Sequence, residues 1–143
     1  MKKDYVGVEL RVLSNLIMRQ VENDTKQMNL DDLTATNGWI LEYLLDEQEK
    51  EIYQKDLENA FGTTRSTISK VLMLMEQKGY ITRESVVKDA RLKRISLTPK
   101  AVEVCKIMRG RMSVMEDKLM NGFRADEKKL LLTYINRMKE NMS

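Results

Sequence analysis

Apolar residues along this chain recur mostly every three or four positions, which is the repeat of one face of an α-helix. The first stripe runs from Val6 to Val21 and predicts an amphipathic helix over residues 6 to about 28 with its stripe buried. The segment Asp31-Asp32-Leu33-Thr34 then offers helix-capping side chains, and a second helical pattern continues to an acidic run at residues 46–51. That run lacks the glycine turn of a calcium loop, so we interpret it as a solvated helix end or loop.

Two short helices separated by Gly62 are predicted next. The first covers Gln54 to Phe61, and glycine can end it because glycine adopts a left-handed backbone at little cost. The second runs from Arg65 to Lys78, with hydroxyls of Thr63 and Thr64 at its N-terminus. The residues predicted to point inward are Tyr53, Leu57, Ala60 and Phe61 in the first helix and Ile68, Val71, Leu72 and Met75 in the second. Two helices joined by so tight a turn are typical of a helix-turn-helix.

A β-hairpin and two further helices complete the predicted order. Residues 81–86 and 93–97 mix β-branched and polar side chains with a partial period of two, and residues 87–92 are predicted to form a long charged tip. Thr98 and Pro99 predict a helix start, because the first helical position needs no amide hydrogen. The apolar seam positions after this start are Ala101, Cys105, Met108, Met112, Met115 and Leu119, and, beyond a break at residues 122–126, Leu131, Ile135, Met138 and Met142.

This order predicts a mainly α fold with a small β-hairpin wing, a winged helix-turn-helix with dimerisation helices at both termini. One domain is expected over residues 1–143. Within it, residues 31–98 would form a DNA-binding lobe. The helices in residues 1–30 and 99–143 hold more apolar stripe than so small a lobe can cover, so we expect a two-fold homodimer.

The formal net charge of +3 is small, but its distribution is uneven. Residues 1–62 carry 7 Lys and Arg against 13 Asp and Glu, a net of −6. Residues 63–100 carry 9 Lys and Arg against 3 Asp and Glu, a net of +6, and the remaining 43 residues carry 9 Lys and Arg against 6 Asp and Glu. A local excess of positive charge attracts a polyanion even when the total hides it, so double-stranded DNA is the expected partner.

Several classes of function lose support from what the sequence lacks. It has no histidine, no phosphate-binding glycine motif and no convergent carboxylate pair that we could locate, so we expect no enzyme, no metal site and no cofactor. No apolar run approaches the roughly 18 residues that cross a bilayer, and the single Cys105 cannot form an internal disulfide. We therefore expect a cytoplasmic protein without a membrane partner.

The segment from Gln54 to Thr98 resembles the multiple antibiotic resistance regulator (MarR) family. Residues 63–81 resemble its recognition helix, and Asp89-x-Arg91 with Leu97-Thr98 is similar to its wing motif. Leu33-Thr34 before the helix bearing Trp39 and the long helices after Pro99 also match, so the resemblance covers nearly the whole chain. It implies a transcriptional regulator, typically a repressor that leaves DNA when a small, often aromatic ligand binds between the reading and dimerisation parts.

The candidate DNA contacts follow from winding the second short helix at about 100° per residue. The apolar stripe then occupies one side, and Ser66, Ser69, Lys70 and Met73 face away from it. Hydroxyls and Lys70 suit base edges or phosphate, and the free amides at a helix N-terminus suit phosphate. The predicted contacts in and before this helix are Thr63, Thr64, Arg65, Ser66, Thr67, Ser69 and Lys70, with Gln54 and Lys55 from the preceding helix touching phosphate.

For the wing, the resemblance implies that Arg91 enters or skirts the minor groove while Asp89 orients its guanidinium. Lys88, Lys93 and Arg94 would neutralise further phosphates. Ala90 stands where many relatives carry another arginine, so no second groove contact is expected there.

Two alternatives remain open at this point. A winged helix can instead dock on another protein, in which case the affinity for duplex DNA would not depend on salt. A thiol-based sensor is the other alternative, but Cys105 lies at a seam position and not in the N-terminal helix where relatives carry their reactive cysteine, so we expect a buried apolar role for it.

A small-molecule effector is implied only by the resemblance, since methionines at seam spacing are most simply core residues. The resemblance favours a dimeric repressor that binds a pseudo-palindromic operator, while the residues themselves leave activation open.

Overall fold

The computed structural model describes residues 4–30, 33–86 and 88–143. The capping predicted for Asp31 and Asp32, the predicted tip residue Val87 and the side chain of Ala90 lie outside what it describes. The helices are α1 (Val6–Gln27), α2 (Ala35–Asp46), α3 (Gln54–Phe61), α4 (Arg65–Gln77), α5 (Pro99–Leu119) and α6 (Ala125–Met142), and the strands are β1 (Ile81–Val86) and β2 (Asp89–Leu97). Six helices and one antiparallel hairpin in the described part confirm the predicted mainly α winged helix-turn-helix class.

Threonine hydroxyls and glycines set the ends of the helices where the sequence predicts them. Thr34, Thr64 and Thr98 each stand directly before a helix, and each hydroxyl accepts the backbone N–H three residues later, at 3.1, 3.3 and 3.2 Å respectively. Gly62 after α3 and Gly79 after α4 have positive φ angles of 60° and 82°, which L side chains rarely adopt. These ends fix the tight turn between α3 and α4 and the short link from α4 to β1.

The apolar core lies within the lobe and the first half of α5. Its buried members are Leu33, Ile40, Leu41, Leu44, Ile52, Leu57, Ile68, Leu72, Met75, Tyr80, Ile81, Ile95, Ala101, Val104, Cys105 and Met108. Val71 and Phe61 are half-buried against this core, whereas Ala60 is exposed. The prediction that Ala60 points inward is therefore wrong, because the short α3 buries Leu57 as its centre and turns Ala60 to solvent.

The wing is longer than the sequence pattern predicted. Ile81 pairs with Leu97 and Ser85 with Lys93, and after an irregularity Val86 pairs with Asp89. The prediction that the whole of residues 87–92 forms a loop is wrong from Asp89 onward, because β2 begins at Asp89, which pairs with Val86, and residues 90–92 form an irregularity within the strand.

The connection between α2 and α3 also joins the wing. The N–H of Ile95 donates to the carbonyl oxygen of Ile52 at 2.8 Å, which forms an isolated antiparallel bridge. This bridge and the buried side chains of both residues hold the wing against the helical part of the lobe.

The chain divides into two compact units, one ending at Gly110 and one comprising Arg111–Ser143. In the first unit, Leu10 and Leu13 of α1 are exposed and Ile17 and Val21 are only half-buried, so the prediction of a buried stripe is wrong for the single chain. In the second unit, α6 has no buried residue, and its exposed apolar side chains include Leu130, Leu131, Leu132 and Tyr134. Among the described residues, no helix combines the length and the apolar character that crossing a bilayer requires.

Candidate nucleic-acid interface

Helix α4 presents one buried face and one open face, as the winding of the sequence predicts. Ile68, Leu72 and Met75 are buried, while Ser66 and Lys70 are exposed on the opposite side. Met73 is also exposed and lies one turn further along the open face. We call these open positions of α4 the reading face.

The N-terminus of α4 carries a small network of hydroxyl groups. Thr64 Oγ1 accepts the N–H of Thr67 and donates to Thr67 Oγ1 at 2.9 Å. Ser66 Oγ lies 3.4 Å from Thr64 Oγ1. Thr63 differs, because its hydroxyl oxygen is buried without a partner among the described residues and its N–H donates to the carbonyl of Glu58. Its hydroxyl would have to turn outward to meet DNA, whereas the other hydroxyls are already at the surface.

Helix α3 is tied to α4 through Gln54. Its amide nitrogen Nε2 lies 2.8 Å from Ser69 Oγ and 3.4 Å from the carbonyl oxygen of Arg65. Ser69 is consequently half-buried, although it lies on the predicted side of α4, away from the apolar stripe. Lys55, the next residue of α3, is exposed.

At the wing, Asp89 and Arg91 form the pair that the resemblance implies. Arg91 Nε lies 3.3 Å from Asp89 Oδ1, and the backbone N–H of Arg91 donates to the same oxygen at 3.0 Å. The side chain of Arg91 is nevertheless 92% exposed, so the carboxylate orients the guanidinium without covering it. Lys88 and Lys93 are exposed as well.

The wing and the two short helices enclose a cleft of about 420 Å³, which we call the basic cleft. Its lining residues are Tyr53, Gln54, Lys55, Glu58, Arg65, Ser69, Arg83, Arg91, Leu92, Lys93 and Ile95. Five of these side chains are cationic and one is acidic. Because charges that line one concave surface add their fields, this cleft favours an anion such as a phosphate backbone.

Arg83 also lines the basic cleft, although the sequence pattern did not predict a DNA contact for it. Arg83 lies on β1 directly opposite the buried Ile95, and its guanidinium pairs with Glu76 of α4 at 3.1 Å. This hydrogen-bonded pair lowers the pKa of Glu76. Alternation along β1 puts Arg83 on the same face as the buried Ile81, and its place at the cleft depends on packing against α3 and β2 that the local pattern does not contain.

Arg94 does not belong to the basic cleft, so the prediction that it neutralises phosphate beside Lys93 is wrong. Adjacent residues of a strand point to opposite faces. Arg94 therefore pairs with Glu84 at 3.3 Å and Glu51 at 3.7 Å on the other side of the wing. There it lines a second cleft of about 470 Å³ together with the acidic segment that ends at Glu51.

Cys105 is buried, with 1% of its surface exposed. Burial, and secondarily the nearby carboxylate of Glu42, raise its pKa to about 11. A thiol that is both covered and protonated reacts slowly with oxidants, which disfavours the redox-sensor alternative. Among the described residues, no group of three or more Cys, Asp or Glu side chains is disposed to hold a metal ion.

Comparison with known proteins agrees with this geometry. The MarR family model matches residues 31–92. The structure of the transcription regulator MarR from Oenococcus oeni PSU-1 shares 31% sequence identity, covers 95% of this chain and 99% of its own, and superposes with a TM-score of 0.81.

Two further solved structures share the fold at lower identity. The S. aureus MepR–DNA complex is 23% identical, with coverage of 97% of this chain and 99% of that one and a TM-score of 0.86. PcaV of Streptomyces coelicolor, in complex with its natural ligand, is 20% identical, with coverage of 98% and 95% and a TM-score of 0.83. Because the 31% identity extends over nearly all of both chains and the family model falls on the lobe that holds the basic cleft, this chain belongs to the MarR family of winged-helix transcription regulators.

Proposed function

We propose that this chain is a sequence-specific DNA-binding transcriptional regulator that acts as a homodimer on a pseudo-palindromic operator. The observation that carries the proposal is the basic cleft, where five cations and one acid lie beside the reading face of α4. A duplex supplies both the phosphates that match the cleft and the base edges that match the short polar side chains.

In the proposed complex, α4 enters the major groove with its N-terminus foremost. Ser66 and Lys70 then face base edges, and the exposed hydroxyls of Thr64 and Thr67 approach phosphate oxygens. The wing lies along the adjacent minor groove, where Arg91 is held by Asp89 before DNA arrives. Holding the guanidinium in advance lowers the entropy that binding must remove.

A dimer is supported by the exposed apolar stripe of α1 and, separately, by that of α6. In α1 the exposed Leu10 and Leu13 are spaced as on one face of a helix, and α6 exposes Leu131 among other apolar residues. Exposed apolar faces of this kind are typical of helices that pack on a partner. A two-fold dimer would bury them and present two copies of α4. The fold shared with the MepR–DNA complex is compatible with this arrangement.

We further propose that the dimer represses transcription and is released by a small ligand. A protein bound across a promoter excludes polymerase from the same DNA, so repression needs no additional contact surface. The ligand part rests on PcaV, a protein of the same fold whose structure holds its natural ligand. In this chain, Met112 and Met115 of α5 are only half-buried and offer adaptable apolar side chains to such a molecule.

Selection from a random duplex library, followed by affinity measurements at several salt concentrations, tests the proposal. We expect two half-sites related by a two-fold axis, with centres about one helical turn, or roughly 10 base pairs, apart or a multiple of it. Affinity should fall steeply as salt rises. A protein that enriches no duplex sequence, or binds with no salt dependence, would contradict the proposal and favour the protein-docking winged helix.

A further inference from the structure

The contact between Gln54 and Ser69 determines whether the Ser69 hydroxyl acts mainly as a hydrogen-bond donor or as an acceptor toward other groups. Gln54 Nε2 is within hydrogen-bond distance of both Ser69 Oγ and the carbonyl oxygen of Arg65, at 2.8 and 3.4 Å. An amide NH₂ group has two hydrogens and no acceptor, so it satisfies both oxygens at once. The reversed amide would place its own oxygen against the Arg65 carbonyl, where two acceptors repel each other, and this repulsion holds the observed orientation.

The Ser69 hydroxyl therefore accepts from Gln54 and keeps its own hydrogen for another partner. A helical serine ordinarily donates to the carbonyl four residues earlier, which here belongs to Arg65. That carbonyl already receives the second amide hydrogen of Gln54. No acceptor for the Ser69 hydrogen is found among the described residues, and Ser69 lines the basic cleft.

Resting on the proposed DNA-binding function, we propose that Gln54 is a positioning residue that biases Ser69 toward donating a hydrogen bond to a base edge in the major groove, because its amide occupies one of the two lone pairs of the hydroxyl. Guanine N7 and O6, thymine O4 and adenine N7 accept such a bond, whereas cytosine presents only its amino group there. Ser69 thereby disfavours cytosine at one step of each half-site, because only one lone pair of its hydroxyl is left to accept from the cytosine amino group. Gln54 acts on specificity through Ser69, with its own amide hydrogens facing α4 and not DNA.

The test uses the full-length protein and the duplex recovered by selection, with all four bases placed in turn at each position of one half-site. In Ser69→Ala, we expect the preference against cytosine at one step to fall by about three- to tenfold, with other steps unchanged. In Gln54→Glu, the carboxylate has to turn away from the carbonyl oxygen of Arg65, but it can still accept from Ser69, which frees both serine lone pairs for a base amino group. Preference at that same step should then move toward cytosine. In Gln54→Leu, the hydroxyl can rotate freely, and the preference should flatten without reversing.

The double variant Gln54→Glu with Ser69→Ala separates hydrogen-bond polarity from added charge. Negative charge beside the duplex weakens binding to all sequences alike, so Gln54→Glu in the Ser69→Ala background should lower affinity uniformly and leave the base profile unchanged. Thermal unfolding of each variant provides the folding control. If Gln54→Glu does not fold, flattening in Gln54→Leu carries the same conclusion.

Three results would overturn the proposal. An unchanged base profile in Gln54→Glu or Gln54→Leu shows that Gln54 does not set the polarity of Ser69. An equal loss on all sequences in Ser69→Ala assigns Ser69 to phosphate. A change of profile that persists when Ser69 is already alanine assigns the effect to Gln54 itself. All three occur with a wild-type protein that binds its selected duplex, so they are distinct from failure of the proposed function, in which the wild type selects nothing.

Discussion

Two arginines of β2 show how strand geometry divides residues of the same type between different surfaces. Arg91 extends from the basic cleft with its guanidinium almost fully exposed, while Arg94 is paired with Glu84 across the wing. Composition cannot separate them, since both lie in one basic stretch. Their positions on opposite faces predict different responses to the same substitution.

Replacing Arg91 with alanine should weaken DNA binding and reduce the slope of log affinity against log salt by about 1, because one phosphate contact is lost. The fold should be retained, since Arg91 is exposed and an exposed ion pair adds at most about 1 kcal/mol. Fluorescence anisotropy across a salt series measures the slope. Arg94→Ala is the matched control and should leave it nearly unchanged, so an equal effect of both substitutions would contradict the assigned faces.

Cys105 should make folding stability depend on pH above neutrality. The thiol of the unfolded chain loses its proton near its ordinary pKa of about 8.5, whereas the buried thiol keeps it up to about 11. The unfolded state therefore releases its proton first, and stability, unaffected below this window, falls across it by up to about 3 kcal/mol.

The comparison that isolates this effect is wild type against Cys105→Ala in urea denaturation at several pH values. The free energy of unfolding of the wild type minus that of Cys105→Ala should be constant up to about pH 8. Above this pH it should decrease, because only the wild type loses stability there. Native protein at pH 8 should also react slowly with a thiol reagent and rapidly once unfolded. Fast labelling of the folded protein would restore the redox alternative.

Among the elements, the junction of α4, the wing and α5 depends on one hydroxyl group. Thr98 donates to the carbonyl of Gly79 at 2.6 Å, and its oxygen accepts the N–H of Ala101 at 3.2 Å. Thr98→Ala should destabilise the protein by about 2 kcal/mol, because it removes both the cap of α5 and the hydrogen bond that the hydroxyl donates to the Gly79 carbonyl. Thr34→Ala, which removes a cap alone, should cost about 1 kcal/mol. Urea denaturation measures both, and Thr98→Ser should retain most of the stability, so an equal loss in Thr98→Ser would show that the hydroxyl is not the cause.

How far the sequence predicts each element depends on how local its determinants are. Both ends of α4 and the start of α5 are set by Thr64, Gly79 and Pro99 within one turn, and the sequence predicts them correctly. The start of β2 and the position of Arg83 depend on pairing between strands, which a local pattern does not contain. The contacts proposed for the reading face were available from helical winding, whereas the half-buried Ser69 was not, because its environment comes from Gln54 fifteen positions earlier.

Over the whole molecule, the separation of charge seen along the sequence becomes a separation in space. The basic cleft lies on one side of the wing, and the cleft around Arg94, lined by Glu47, Glu49 and Glu51, lies on the other. Glu47 is paired there with Lys50 and Glu51 with Arg94, so this side of the wing has little net charge and only the basic cleft attracts a polyanion. Although the net charge is only +3, the local positive field of the basic cleft favours the orientation in which this side of the wing faces DNA.

A single charge in the exposed stripe of α1 should separate the proposed dimer. In Leu13→Glu the carboxylate would be buried without a partner at the subunit contact, which costs several kcal/mol in each of two symmetric copies. Asn15→Glu adds the same charge to the opposite side of α1 and serves as the control. Analytical ultracentrifugation should show the Leu13 variant as monomer and the Asn15 variant as dimer at equal concentration. Because each monomer carries one α4, the Leu13 variant should bind a single half-site and the full operator with similar low affinity, while the control retains its preference for the full operator. A Leu13 variant that remains dimeric would exclude this stripe of α1 from the interface.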